Sequence, residues 1–172
     1  MKIYIAADHT GFELKKVLIS HLESRGHEVE DCGAYELDPT DDYPDFIYPC
    51  AKKVGENPGT FGILIGGSGQ GEAFCANKAR GVRAVLFYGS VTPKSAVDVT
   101  GRVSDDPLEI VRLTRQHNNA NVLSLAARFL SVDAAKGAVD LWLATKFETN
   151  SRHQRRLEKI AKIEEKSTAI AR

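Results

Sequence analysis

The chain has 172 residues, enough for one domain with an ordinary core. Its 23 basic and 23 acidic residues cancel, which argues against nucleic acid or an anionic membrane as a partner. Cys32, Cys50 and Cys75 lie far apart without metal-ligand spacing and read as reduced thiols. No apolar run approaches the ~18 residues that cross a bilayer. "MKIYIAADH" enters a strand pattern at once, without the core of a signal peptide, so the expected compartment is the cytoplasm.

In chain order, "KIYIA" (2–6) predicts a buried strand that ends in the turn "ADHTG". Phe12, Leu14, Val17, Leu18 and Leu22 then fall on one helical face as far as Ser24, and Gly26 stops the helix. "HEVEDC" (27–32) predicts the second strand, and a helix of about ten residues is expected near 45–55. "FGILI" (61–65) is the third strand, followed by a glycine-rich loop and a helix from about Gly71 to Ala79. "VRAVLFY" (82–88) is the fourth strand. The stretch 89–107, rich in Gly, Ser, Thr, Asp and Pro, predicts a long loop of the kind that is usually functional or disordered. A helix over 108–118, a fifth strand over 121–126, an amphipathic helix over 133–147 and a charged helix over 151–166 complete the chain.

This alternation predicts an α/β protein with a parallel sheet, right-handed crossovers and helices on both faces. There is no internal repeat and no linker, so residues 1–172 are expected to form a single domain with an inserted loop at about 91–107. Ligands of such sheets sit beyond the carboxyl ends of the strands. "ADHTG" and "GGSGQGE" fall there, as does the loop after the fourth strand.

The glycine loop matches neither common phosphate motif. No Lys-Ser or Lys-Thr follows it, and Gly67, Gly69 and Gly71 are spaced G-x-G-x-G rather than G-x-G-x-x-G. It can still present backbone N–H groups and the Ser68 hydroxyl to a small ligand, or it can be only a tight turn. Glu72 carries two readings. It can be an acid that complements the helix dipole, or a general base that takes a proton beside a carbonyl while nearby donors stabilise the enediolate oxygen.

"ADHTG", "DYPD" (42–45), "GGSGQGE…ANK" (66–78), "RQHNNANVL" (115–123) and "RHQRR" (152–156) occur in this order, and together they resemble the ribose-5-phosphate isomerase type B family. That family includes galactose-6-phosphate and allose-6-phosphate isomerases. The resemblance covers roughly residues 1–163, apart from the loop near 91–107. It implies a three-layer α/β/α sandwich on a five-stranded, Rossmann-like parallel sheet, and chemistry without metal or cofactor on a sugar phosphate. It also implies a homodimer with active sites at the subunit interface, with a tetramer as the larger alternative.

By motif matching, the resemblance assigns Asp8 and His9 to the sugar and its phosphate end. Gly67, Ser68, Gly69, Gln70 and Gly71 would line the substrate, with Ser68 near the developing oxyanion. His117 would be the acid that opens the furanose ring, with Asn118 beside it, and Arg128, Arg152 and Arg156 would bind the phosphate or close the site. Many members carry a cysteine base where Gly66 stands. This chain resembles a second branch that lacks it and carries the base at Glu72, which leaves Cys75 as a packing residue.

The residues support several of these assignments independently. Arg152 and Arg156, four apart, project from one helical face and suit a phosphate dianion, although a solvated basic face is the simpler alternative. His9 and His117 sit at element ends, where a histidine can exchange protons or merely cap. Asp8 could orient His9, accept a sugar hydroxyl or cap the helix from Phe12. Tyr43 and Asp45 could wall the pocket or only shape a proline turn. His21 and His153 have weaker cases, one on a polar helix face and the other merely adjacent to the arginines.

The expected activity is isomerisation of ribose 5-phosphate to ribulose 5-phosphate. A six-carbon sugar phosphate is the alternative within the enzyme class, and a non-catalytic sugar-phosphate-binding module is the alternative outside it.

Overall fold

The computed structural model describes residues 1–149 and 152–170. Its strands are β1 (Lys2–Ala7), β2 (Glu28–Asp31), β3 (Phe61–Gly66), β4 (Ala84–Phe87) and β5 (Val122–Ala126). Its helices are α1 (Phe12–Ser24), α2 (Pro44–Glu56), α3 (Gln70–Ala76), α4 (Glu109–Asn118), α5 (Val132–Ala144) and α6 (Arg152–Ile170). Ser151, the expected first residue of the last helix, lies outside the described residues.

All five strands are parallel, in the order β2-β1-β3-β5-β4. The central strands are apolar on both faces because helices cover both. Ile3, Ile5, Ile63, Ile65, Leu123 and Leu125 meet Leu14, Leu18 and Leu22 of α1, Val111 of α4 and Val139 and Trp142 of α5. On the other face Tyr4, Ala6, Leu64 and Val122 meet Ile47, Cys50 and Val54 of α2 and Ala76 of α3. The expected three-layer α/β/α sandwich is therefore what forms.

Several boundaries differ from expectation for identifiable reasons. Helix α2 runs to 13 residues because Pro44 opens it and Pro49 lies on its exposed side, where the missing N–H is tolerated. Helix α3 is shorter than expected, only 7 residues. Asn77 ends it by donating to Ala73 O (2.9 Å) and then bonding both polar groups of Ala84 at the start of β4 (2.9 Å each). His21 is not on a free polar face, since its Nε2 donates to Asp140 of α5 at 2.8 Å.

Two features fix the ends of the sheet. At the carboxyl edge the central strands are stitched together beyond their last residues. Asp8 N–H donates to Ile65 O (3.3 Å), Ala127 N–H to Gly66 O (2.8 Å) and Arg128 N–H to Gly67 O (3.1 Å). At the amino edge the last turn of α4 is clamped by Arg115, whose guanidinium lies 4.9 Å from the Phe61 ring and 5.5 Å from the Trp142 ring. Arg115 also donates to Ala120 O and Thr145 O. A buried cation over two aromatic faces is worth on the order of 1–2 kcal/mol, so this end of α4 is rigidly placed. Asn119, at φ 44°, then turns the chain into β5.

The segment 89–107 contains no helix or strand, as expected, but it is not a loose loop. Arg102 (2.7 Å), Ser104 (3.2 Å) and Arg112 (3.4 Å) all donate to the buried Glu109 carboxylate in the first turn of α4.

Candidate active site

The glycine loop joins β3 to α3 at the carboxyl edge, where β1, β3 and β5 end side by side. Gly69 takes φ +72° as the residue before α3, a conformation that strains any side chain. Its carbonyl accepts from the buried Ser124 hydroxyl of β5 at 2.7 Å, which fixes the loop to the sheet. Gly67 lies against the Arg128 guanidinium and Gly71 against the Tyr43 ring. Ser68 and Gln70 are exposed on the rim, and the Ser68 hydroxyl accepts from Gln70 N–H at 3.3 Å. Asp45 is exposed. Of the two expected wall residues, Tyr43 is the one that meets the loop.

Glu72 is not the solvated acid of a helix first turn. It is only 4% exposed, and its carboxylate occupies the space directly in front of Gly66, where a Cβ would overlap it. Burial is the main cause that pushes its carboxyl above the ordinary value, reinforced by the nearby negative charge of Asp8. Desolvation makes this carboxylate more basic than that of a surface glutamate. Gly66→Ala is accordingly expected to displace the carboxylate and lower kcat/KM on the order of 10²-fold, in a steady-state assay with the fold checked by circular dichroism.

Asp8 caps rather than orients. Its Oδ1 accepts from Thr10 N–H (2.9 Å), Thr10 Oγ1 (2.5 Å) and Gly11 N–H (3.1 Å). The partner of His9 is Asp41, which sequence reasoning missed because it stands 32 residues away in a polar loop. His9 Nδ1 donates to Asp41 Oδ1 at 2.5 Å, and the other Asp41 oxygen is buried with no partner among the described residues. This bond raises the His9 pKa, Asp8 and the rest of the Asp41 charge add to it, and desolvation and, less, Arg128 oppose it. His9 thus keeps its proton to higher pH than a free imidazole, and Arg128 is close enough to act on its charge.

The remaining expected residues stand elsewhere. His117 and Asn118 end α4, which leads into the amino end of β5, so they lie at the opposite edge of the sheet from Glu72. The length of β5 separates the two groups, roughly 17 Å at 3.3 Å per residue. Arg152 and Arg156 of α6 gather with His117 and Asn118 around a cavity of about 440 Å3. His153 belongs to this group too and is more than a neighbour of the arginines. It is buried, and its ring stacks on His117 with 4.1 Å between centroids and 8° between planes. Burial, His117 and Arg152 lower its pKa, and its Nε2 accepts from Arg152 Nε at 3.3 Å, which together describe a neutral ring.

Among the described residues, two groups hold enough ligating atoms for a cation within 4.8 Å of one another: Asp8–His9–Asp41 and His117–Glu148–His153. In the first, the His9 nitrogen is bound to Asp41. In the second, the imidazoles lie face to face, so no single point falls in both ring planes.

Known proteins resemble this one over nearly the whole chain. A family model described as Ribose/Galactose Isomerase matches residues 3–100 and 103–160. Ribose-5-phosphate isomerase B of Mycobacterium leprae is 37% identical over 164 residues, covering 95% of this chain and 90% of that protein. The probable ribose-5-phosphate isomerase B of Mycoplasma pneumoniae is 42% identical over 162 residues, 94% of each chain. Among solved structures, ribose-5-phosphate isomerase B from Mycoplasma genitalium with bound ribulose-5-phosphate superposes with a TM-score of 0.82. It is 39% identical, with 95% of this chain and 96% of that one covered.

Proposed function

Because the chain belongs to the ribose/galactose isomerase family, we propose that it interconverts ribose 5-phosphate and ribulose 5-phosphate at a site shared between two copies. One observation carries this reading: a buried carboxylate with a raised pKa stands at the carboxyl edge, beside a loop of backbone donors. Glu72 takes the proton from C2 of the open-chain aldose and returns it to C1, while the C2 hydroxyl proton passes to the C1 oxygen, so no net proton is lost. The Ser68 hydroxyl and the N–H groups of the glycine loop donate to the enediolate oxygen between the two transfers. His9 and Arg128 meet one end of the substrate.

The ring-opening acid and the paired arginines are the residues that one chain cannot bring to its own Glu72. His117, Asn118, Arg152 and Arg156 of a second copy complete the site, which makes a homodimer the smallest active unit. His117, its ring stacked on His153, gives its proton to the ring oxygen as the C1 hydroxyl releases its own to solvent. Three free cysteines, two of them buried, suit a cytoplasmic enzyme.

The reading is tested by incubating the protein with ribose 5-phosphate, allose 6-phosphate and galactose 6-phosphate in deuterated water. Deuterium entering carbon of the pentose first is the expected result. Faster entry into either hexose would overturn the substrate, and entry into none would overturn the activity.

The His9–Asp41 pair adds a pH dependence. Asp41→Asn removes the main cause that holds His9 protonated, so KM at neutral pH is expected to rise several-fold while kcat changes little. In the wild type KM should rise as pH climbs through the raised His9 pKa. In the variant that rise should begin at lower pH, as read from KM measured between pH 5 and 9.

A further inference from the structure

We infer that segment 91–107, read above as an inserted loop, is a contact element for a second copy of this chain, walling the cavity that receives the partner's α3. The inference rests on the shared-site reading above. Any second copy that brings its Glu72 to His117 must approach the cavity between α4 and α6, because His117, Asn118, Arg152 and Arg156 line its polar end. The same cavity is lined on another side by Val97, Asp98 and Val99 of the insert, with Ile110, Leu157 and Ile160 at its apolar end. A partner that docks at this cavity therefore meets the insert as well as the histidine.

Helix α3 also exposes a large apolar side chain. Phe74, two residues beyond Glu72, is 66% exposed, with the Lys78 ammonium 4.3 Å above its ring. On the receiving side Val99, Val103, Ile110 and Ile160 are also exposed. A patch of this kind, continuous with a half-site that lacks its base, is a surface waiting for a partner of the same chain.

The insert is built to hold this position. Asp98 Oδ1 accepts from Thr100 N–H (2.8 Å) and Thr100 Oγ1 (2.7 Å), and its Oδ2 accepts from Arg102 Nε (3.1 Å). Arg102 then reaches the buried Glu109 of α4 at 2.7 Å, and Val91 N–H donates to Pro107 O at 2.9 Å. The wall is thereby anchored to the helix that ends in His117, so the contact surface and the ring-opening acid move as one body.

The test uses full-length protein carrying Cys75→Ala. One pool also carries Phe74→Cys and the other Val99→Cys. The pools are mixed, treated with a short bismaleimide and analysed by mass spectrometry, with the oligomeric state of the wild type measured by sedimentation. A dimer cross-linked between 74 and 99, about tenfold above either pool alone, is expected. As a second measurement, Val99→Asp in this exposed segment is expected to weaken dimerisation about tenfold. A wild-type dimer with no such cross-link, or with unchanged dissociation in Val99→Asp, overturns the role of the insert and leaves the shared site standing. A wild-type monomer that is fully active overturns both.

Discussion

Glu72→Gln is expected to lower kcat by about 10³- to 10⁴-fold and at the same time to make the protein more stable at neutral pH. The first effect follows because the amide keeps the shape of the side chain but cannot accept a proton from carbon. The second follows from burial. A carboxyl whose pKa is raised in the folded state binds its proton more tightly there than in the unfolded chain. Its relative contribution is therefore most favourable below the ordinary carboxylate pKa and is lost as pH rises through the raised value. Above that window the wild type bears the full cost of a desolvated charge, and glutamine does not. The gain is read as a higher Tm of Glu72→Gln than of the wild type above that window. Thermal melts of both proteins at pH 4 and pH 8 should differ at pH 8 and converge at pH 4. In the wild type, the acid limb of kcat/KM should fall above the ordinary carboxylate range. Retained turnover in Glu72→Gln, with deuterium still entering the product, would remove Glu72 as the base.

The second large effect is a recovery. On the proposed roles, Glu72→Gln lacks the base, and Arg152→Ala/Arg156→Ala lacks two charge-assisted phosphate contacts, a loss of roughly 10²- to 10⁴-fold in kcat/KM. If each site draws its base from one copy and its arginines from the other, a hybrid dimer holds one site with both defects and one with neither. Random exchange of equal amounts makes half the dimers hybrid, so the mixture should reach about a quarter of the wild-type rate. Native mass spectrometry verifies that hybrids form. Hybrids with no more activity than the average of their parents would mean that each chain supplies its own complete site.

Much of the fold was legible in the residues, and the reason is burial. "KIYIA", "FGILI" and "NVLSLA" are apolar on both faces because each is sandwiched between helices, and a strand with one solvated face would alternate instead. The end of α3 was less legible, since Ala79 stays apolar and buried beyond it while Asn77 diverts the backbone to β4. In the site, Glu72 and its loop could be found because glycine spacing is local. The bond between His9 and Asp41, and the stacking of His153 on His117, depend on chain segments meeting in space, and no periodicity encodes them. The division of the site between two edges was within reach. Helix α4 runs back from the carboxyl edge to feed β5, so the crossover rule alone sends His117 to the far end.

The overlap between Gly66 and Glu72 has a bearing on how such a site can change over time. A side chain at position 66 and this placement of a carboxylate at position 72 exclude one another. On the proposed role of Glu72, loss of the carboxylate alone leaves no base, and a thiol added alone collides with the carboxylate already present. Each single step descends, and only the double replacement arrives at another working arrangement. The two positions are expected to behave as one heritable unit, with a strongly non-additive double-mutant cycle and few viable intermediates between glycine–glutamate chains and those that place a cysteine before the loop.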